Sequence, residues 1–386
     1  MTLRQKIDQE ISVRGAIPFS RYMEMSLYDP EFGYYSRNAE QFGKAGDFYT
    51  SSDVHAVFGR LMARQFEEMW RALGSPDHIE ILELGPGRGL FARDVLDWSE
   101  KKFPGFFHAL HYTLMEQSAV LRSRLQAALA RHVEAGKASL VTPRDGMVLP
   151  RALPPDLPVI IFANEFFDAL PVEIVSSRGW LHLTEGLAET WKPPSPEQLE
   201  FLDRYSVRPG PGERFEVPLI AQQYATQVAD TIARGFLIAV DYGYTRDQQI
   251  AGRHRGTLMS YRQHSASPNP YQAPGEQDMT AHVNFTGLAA AVKDKGLTPQ
   301  PLLTQSQFLL GIGESNQFAD AFEECRLPQE RAKVALQLKH LVTPAGVGES
   351  FRVLVACKGI DPVDVSRLSG LGFGSQRPYS PTSSTG

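Results

Sequence analysis

From Ile79 onward, short apolar runs alternate with amphipathic stretches, and this alternation constrains the fold more than any other feature of the chain. The runs are IEILELG (79–85), ALHYTLME (109–116), ASLVT (138–142), PVIIFANEF (158–166) and GFLIAVDYG (235–243). Between the first two, LFARDVLDWSEKKF (90–103) carries apolar residues on a helical period, and residues 121–132 do the same after the second. Runs this short and this apolar read as strands covered on both faces. Strands separated by helices run parallel, because a parallel pair needs a crossover connection. The pattern predicts an α/β fold with a doubly wound, mostly parallel sheet.

The rest of the chain elaborates that frame. Residues 1–75 contain no long strand, and VFGRLMARQFEEMWRAL (57–73) has helical periodicity, so a helical N-terminal extension is expected there. The main domain should occupy residues 76–360, with PQPLLTQ (299–305) and SFRVLVACKG (350–359) completing one sheet edge. Two insertions interrupt it. One, near 172–234, holds two short strand-like pieces that suggest a β-hairpin extension. The other, near 245–282, is polar and rich in turns, longer than an ordinary connection, and placed to build a site or a lid. Residues 361–386, ending in GFGSQRPYSPTSSTG, look disordered by composition.

Charge and cysteine content exclude several classes of function. With 39 Lys and Arg against 44 Asp and Glu, the chain has no general field for holding nucleic acid. Its two cysteines, Cys325 and Cys357, cannot form a disulfide framework and lack metal-ligand spacing, which fits a reducing compartment and no bound metal. No apolar run reaches the length of a membrane span, and the N-terminus has no apolar signal region. A cytoplasmic location is expected, or the mitochondrial matrix if the chain is eukaryotic.

The glycine loop ELGPGRG (83–89) narrows the ligand. A dinucleotide fingerprint would place a third glycine where Leu90 stands, and no Gly-Lys-Ser/Thr follows for a phosphate loop. Glu83, at the strand end, would repel a pyrophosphate but suits a ligand that carries positive charge. Glu116 ends the next strand, where a carboxylate can accept both hydroxyls of a ribose. Glu83, Gly85, Gly87 and Glu116 together describe a site for S-adenosylmethionine, which carries an ammonium and a sulfonium.

Further blocks of sequence carry a family resemblance. GDFYTSSDVHAVFG (46–59), ELGPGRG, NEFFDALPVE (164–173), VDYGY (240–244), GTLMSYRQH (256–264) and GEQDMTAHVNF (275–285) occur in this order. In these blocks the chain resembles the MidA-like class I S-adenosylmethionine-dependent methyltransferases, a family that includes a mitochondrial complex I assembly factor. The resemblance implies a Rossmann-like methyltransferase domain and S-adenosylmethionine as cofactor. For the mitochondrial member it implies methylation of an arginine in a respiratory-complex subunit. It also implies a flap near the cofactor that includes Gly46, Asp47 and Thr50.

Ligands of doubly wound sheets sit beyond the carboxyl ends of the strands, which places NEFFDALP and DYGY beside the glycine loop. Asn164 is assigned to the cofactor. If the substrate is an arginine, Glu165 and Asp168 are candidates to grip its guanidinium and take up its proton, and His282 is a candidate base. Phe166 and Phe167 are expected to stack on the planar cation, the equal alternative being that both are core and Asp168 caps a helix after the strand; Asp241, Tyr242 and Tyr261 are also placed on the substrate side. Tyr244 is equally suited to the pocket wall or the core, and Arg262 and His264 are further substrate contacts without a chemical step. The expected partner is a protein substrate, and a homodimer is a second expectation. Three alternatives stay open: a methyltransferase for a small molecule or another side chain, an assembly factor that binds S-adenosylmethionine without turnover, and a nicotinamide oxidoreductase.

Overall fold

The computed structural model describes residues 1–37, 56–143, 154, 156–250, 252, 256–262 and 265–375. Its centre is a sheet of six principal strands: β1 (Ile79–Leu84), β2 (Leu110–Met115), β3 (Ala138–Val141), β4 (Val159–Asn164), β5 (Gly235–Tyr244) and β6 (Phe351–Lys358). Their order is β3-β2-β1-β4-β5-β6. The first five are parallel and β6 is antiparallel to β5, running from Gly235 opposite Lys358 to Tyr242 opposite Phe351. Thr298–Pro299 and Leu303–Thr304 pair with β6 and close that edge, as the apolar runs predict. The strand order reverses between β1 and β4, which opens a crevice at their carboxyl ends.

Alternation along the strands divides the core. In β1 and β4, Ile81, Ile160 and Phe162 face one apolar layer with Phe66, Phe91 and Phe308, while Leu82, Ile161 and Ala163 face the other with Tyr224, Val228 and Leu288. Each strand is therefore buried on both sides, which is why these runs read as uninterrupted apolar sequence.

Several boundaries drawn from the sequence shift. Ala56–Ala72 packs into the main core, so it belongs to the main domain rather than to a separate extension ending at 75. Leu219–Asp230 is likewise a helix of the second layer, and the first insertion stops near Val217 instead of 234. That insertion is more than a hairpin. Glu173–Ser176, Gly179–Thr184, Ala188–Lys192 and Arg214–Val217 form a sheet with Ile17–Pro18 from the N-terminal extension. The second insertion contributes a helix (Arg246–Ile250) and a three-stranded sheet of Met259–Arg262, Ser265–Ser267 and Asp278–Thr280. Its Met279 and Ala281 share an apolar cluster with Leu181 and Leu183 of the first insertion and with Phe19, Tyr22 and Leu27 of the extension. The three segments make one cap over the crevice.

The tail also departs from expectation. Pro362–Ser366 is a helix started by the Asp361 side chain, and Val365 and Leu368 are buried in the main core. Ser369 donates its amide and hydroxyl to Glu68, and the Gly370 amide donates to Gln65.

Candidate active site

A cleft of about 640 Å³ lies at the carboxyl ends of β1, β2, β4 and β5 and is roofed by the cap. This is within the usual range for a small-molecule site. Glu83, Gly85, Gly87, Glu116, Asn164, Glu165, Phe166, Asp168, Tyr242, Tyr261 and His282 all line it. The sequence therefore brings together most of the residues it singled out.

The glycine loop is built from three left-handed residues: Gly85 at φ 63°, Gly87 at φ 54° and Gly89 at φ 73°. Each has a different surrounding. A Cβ on Gly85 would stand 2.8 Å from the Phe166 ring, and one on Gly89 would stand 2.5 Å from Leu125. Gly87 has nothing within 4 Å, so its backbone is the part of the loop open to a ligand. Close helix packing, which a dinucleotide fold assigns to a glycine at the position of Leu90, falls here to Gly89.

Two acids flank the loop. Glu83 is buried at the end of β1, where its Oε2 accepts from the Tyr112 hydroxyl at 2.9 Å, and burial pushes its carboxyl up to about 8. Glu116 accepts from the Ser118 amide at 2.8 Å. Burial raises it to about 7, against the pull of the Ser118 amide, Arg122 and the Gln117 and Gly87 amides. Arg122 fixes the turn after β2 by donating to the carbonyls of Glu116 and Gln117. Asn164 donates from Nδ2 to Glu165 Oε1 at 3.2 Å, and its Oδ1 is a buried acceptor with no hydrogen-bond partner among the described residues.

After β4 the chain turns sharply. Glu165 adopts φ 50°, its amide donates to the Val240 carbonyl at 3.0 Å, and it remains partly exposed on the cleft wall. Asp168 is buried, and no helix follows that it could cap. Burial, then the charges of Asp241 and Glu165, push its carboxyl well above the usual range. Phe166 lies edge-on to Phe167, with ring centroids 5.3 Å apart, and against Tyr224 at 5.0 Å.

Not every expected residue reaches the cleft. Phe167 is a core residue at 2% exposure, and Asp241 lies beneath the turn, fully buried. The carboxylate of Asp241 is occupied by backbone amides, so it is not a substrate contact. Tyr244 is core, and Arg262 pairs with Glu276 away from the cleft wall. His282 stacks on Tyr242 with rings 5.9 Å apart and 17° from parallel, and its amide donates to Thr257. Gly46, Asp47, Thr50 and His264 lie outside the described residues.

The cap supplies residues that sequence reasoning missed. Tyr28 and Tyr35 line the cleft with their rings 5.5 Å apart. The Tyr28 hydroxyl donates to the Ala169 carbonyl, and that of Tyr35 donates to Asp278 Oδ1, each at 2.8 Å. Asp278 is buried on the wall and also accepts from the Met279 amide. Asp278 sits in the GEQDMTAHVNF block and was within reach of the sequence. The tyrosines were not, since their partners lie 141 and 243 residues away. Among the described residues lining the cleft, the carboxylates of Glu24, Glu83, Glu116, Glu165, Asp168 and Asp278 face one guanidinium, Arg88.

Known proteins share this arrangement of sequence and fold. A family model described as an S-adenosyl-L-methionine-dependent methyltransferase matches residues 61–302. The Drosophila melanogaster "Protein arginine methyltransferase NDUFAF7 homolog, mitochondrial" is 27% identical, over 96% of this chain and 88% of its own. Its human counterpart, "Protein arginine methyltransferase NDUFAF7, mitochondrial", is 25% identical over 89% and 80%. A crystal structure from Burkholderia thailandensis, bound to S-adenosyl-homocysteine, superimposes with a TM-score of 0.78 at 27% identity, covering 95% of this chain and 94% of that one. The names of the relatives, which say mitochondrial, give no support to a cytoplasmic location. The cofactor is S-adenosylmethionine, and the chain belongs to the S-adenosyl-L-methionine-dependent methyltransferase family.

Proposed function

We propose that this protein transfers a methyl group from S-adenosylmethionine to an arginine side chain of a protein substrate. The observation that carries the reading is the substrate side of the cleft, where Glu165, Asp168 and Asp278 stand among Tyr28, Tyr35, Phe166 and Tyr242. Carboxylates among aromatic rings suit a planar cation. The curated relatives, named as protein arginine methyltransferases, support the same substrate.

The residues around the glycine loop fit the cofactor. Buried Glu83 suits the positive end, Glu116 the ribose, open Gly87 a close approach, and the unpartnered Asn164 Oδ1 a donor on the ligand. When bound, the cofactor supplies a methyl group on a sulfonium.

The protein's own task is to align a nitrogen, exclude water and take up a proton. A free guanidinium has a pKa above ~12, so a lone pair must be uncovered. Asp278, fixed by the Tyr35 hydroxyl, and Glu165 hold the cation from two sides and draw its charge away from the attacking nitrogen. Burial, with the charges of Asp241 and Glu165 nearby, favours the neutral form of Asp168, the form that can donate a hydrogen bond. Glu165, partly exposed, receives the released proton and passes it to solvent. His282 and Tyr242 wall the site as a stacked pair. The partner is a protein presenting an arginine, with a respiratory-complex subunit as the first candidate to test.

The test is transfer of tritium from methyl-labelled S-adenosylmethionine into an extract of cells lacking this protein. Label should enter protein and appear as methylarginine after acid hydrolysis. Glu165→Gln should lower the rate ~100-fold while S-adenosyl-homocysteine still binds. Label confined to small molecules, or to residues other than arginine, would refute the proposal.

A further inference from the structure

The mechanism leaves one buried carboxylate unused. Asp241 is 0% exposed, follows the last β5 residue paired with β4 and does not line the cleft. Its Oδ2 accepts from three consecutive amides, those of Phe166 (3.2 Å), Phe167 (2.9 Å) and Asp168 (3.3 Å), and its Oδ1 accepts from the Tyr242 amide at 3.0 Å. Amides from successive residues converge on one oxygen only where the backbone curls around it, and an anion is what such a curl binds. The anion here belongs to the protein.

The curl begins where β4 ends. Asn164 is the last residue paired with β5, opposite Val240, and Glu165 leaves the sheet at φ 50°. A left-handed glutamate is strained and persists only where its surroundings impose it. The Val240 carbonyl and the Asp241 carboxylate, adjacent on β5, impose it from one side. On the other side, the Asp168 carbonyl accepts from the Ala281 amide at 3.0 Å and the Ala169 carbonyl from the Tyr28 hydroxyl. The turn that carries Glu165 and Asp168 is thus clamped between the sheet and the cap.

We propose that Asp241 is a positioning residue for methyl transfer. By gathering three amides on one carboxylate oxygen it holds the turn at 165–168 so that Glu165 and Asp168 face the reacting centre. The inference rests on the role given to Glu165 above. Burial raises the Asp241 carboxyl to about 7, and the four amide hydrogens pull the other way, towards the ionised form that accepts all of them. An asparagine cannot replace it. Whichever way the amide is turned, its NH2 faces either the three amides or that of Tyr242, donor against donor.

The full-length protein with Asp241→Asn and, in parallel, Glu165→Gln tests this through three readouts. These are calorimetric affinity for S-adenosyl-homocysteine, the KM for S-adenosylmethionine, and the maximal rate of labelled methyl transfer into protein of the deficient extract. Asp241→Asn should cut the maximal rate ~30- to 100-fold, with cofactor affinity and KM unchanged within about threefold. A variant that merely unfolds would lose binding sites in step with rate. If Asp241→Asn keeps its rate while Glu165→Gln loses it, the positioning role is refuted alone. If Glu165→Gln keeps its rate, the reading of Glu165 fails and the inference with it. Should Asp241→Asn not fold, hydrogen exchange of the wild-type protein decides. The amides of Phe166, Phe167 and Asp168 should be protected like those of β4 although they lie outside the sheet, and rapid exchange there would overturn the proposal.

Discussion

At the scale of single residues, Glu83 carries the sharpest consequence. A carboxyl held at about 8 by burial is mostly protonated at neutral pH, whereas a positively charged ligand favours its ionised form. Binding S-adenosylmethionine at pH 7 should therefore release a proton, with Glu116 at about 7 adding a smaller share. Titration calorimetry in buffers of different ionisation enthalpy reads this directly. The apparent binding heat should vary with the buffer, and in Glu83→Gln the dependence should shrink to what Glu116 contributes. A heat independent of buffer would rule out the linkage. Sequence reading placed Glu83 and Glu116 because strand ends fix them, and it placed Gly87 because an open loop needs it. It gave Asp241 and Phe167 to the substrate for an equally local reason, their nearness to a motif. Whether a side chain next to a motif points into the cleft or under it depends on the left-handed turn at Glu165, and no residue type announces that turn.

Among elements, the C-terminal segment is the instructive error. Its Gly, Ser and Pro content reads as disorder, yet Asp361 caps a helix with Pro362 in the first turn, and Val365 and Leu368, three apart, are buried. The cap, the proline and the spacing were all visible in DPVDVSRL. They were outweighed by composition averaged over a longer window. Burying two such side chains contributes ~3–5 kcal/mol, and the amide and hydroxyl of Ser369 donate to the half-buried Glu68. Ending the chain at Ile360 should lower the urea midpoint clearly but leave affinity for S-adenosyl-homocysteine intact, because none of the segment's described residues lines the cleft. An unchanged midpoint would show that the docking contributes nothing. The insertions failed for a different reason. Their strands are short and pair with partners far away in sequence, Ile17–Pro18 with Leu183 and His182, so no local pattern reveals the sheet they complete.

Taken as a whole, the molecule buries several acids, and three of them, Glu83, Glu116 and Asp168, line the cleft that a cationic ligand would enter. Besides Glu83 and Glu116, burial raises Asp94 to about 6, and Asp168, Asp241 and Glu216 are shifted in the same direction for the same first cause. A carboxyl whose folded pKa lies above its unfolded value near 4 stabilises the fold fully only below that value. The contribution is lost as pH rises through the folded pKa. For Asp94, Glu116 and Glu83 the loss begins near the unfolded value and is complete by about pH 6, about 7 and about 8 respectively. Glu10 and Glu189, lowered by Arg21 and Arg214, change in the opposite sense but below the ordinary carboxylate range, so they do not compensate in this window. Without ligand, the melting temperature should fall as pH is raised from 5.5 to 8.5. Even ~1 kcal/mol from each of the three groups would amount to about 4 °C. Saturating S-adenosylmethionine should stabilise the protein more at pH 8.5 than at pH 5.5, since its charge favours the ionised acids, and Glu83→Gln should flatten the pH dependence of the ligand-free protein. A melting temperature that stays level or climbs over this range would mean that the buried acids do not titrate where their surroundings place them.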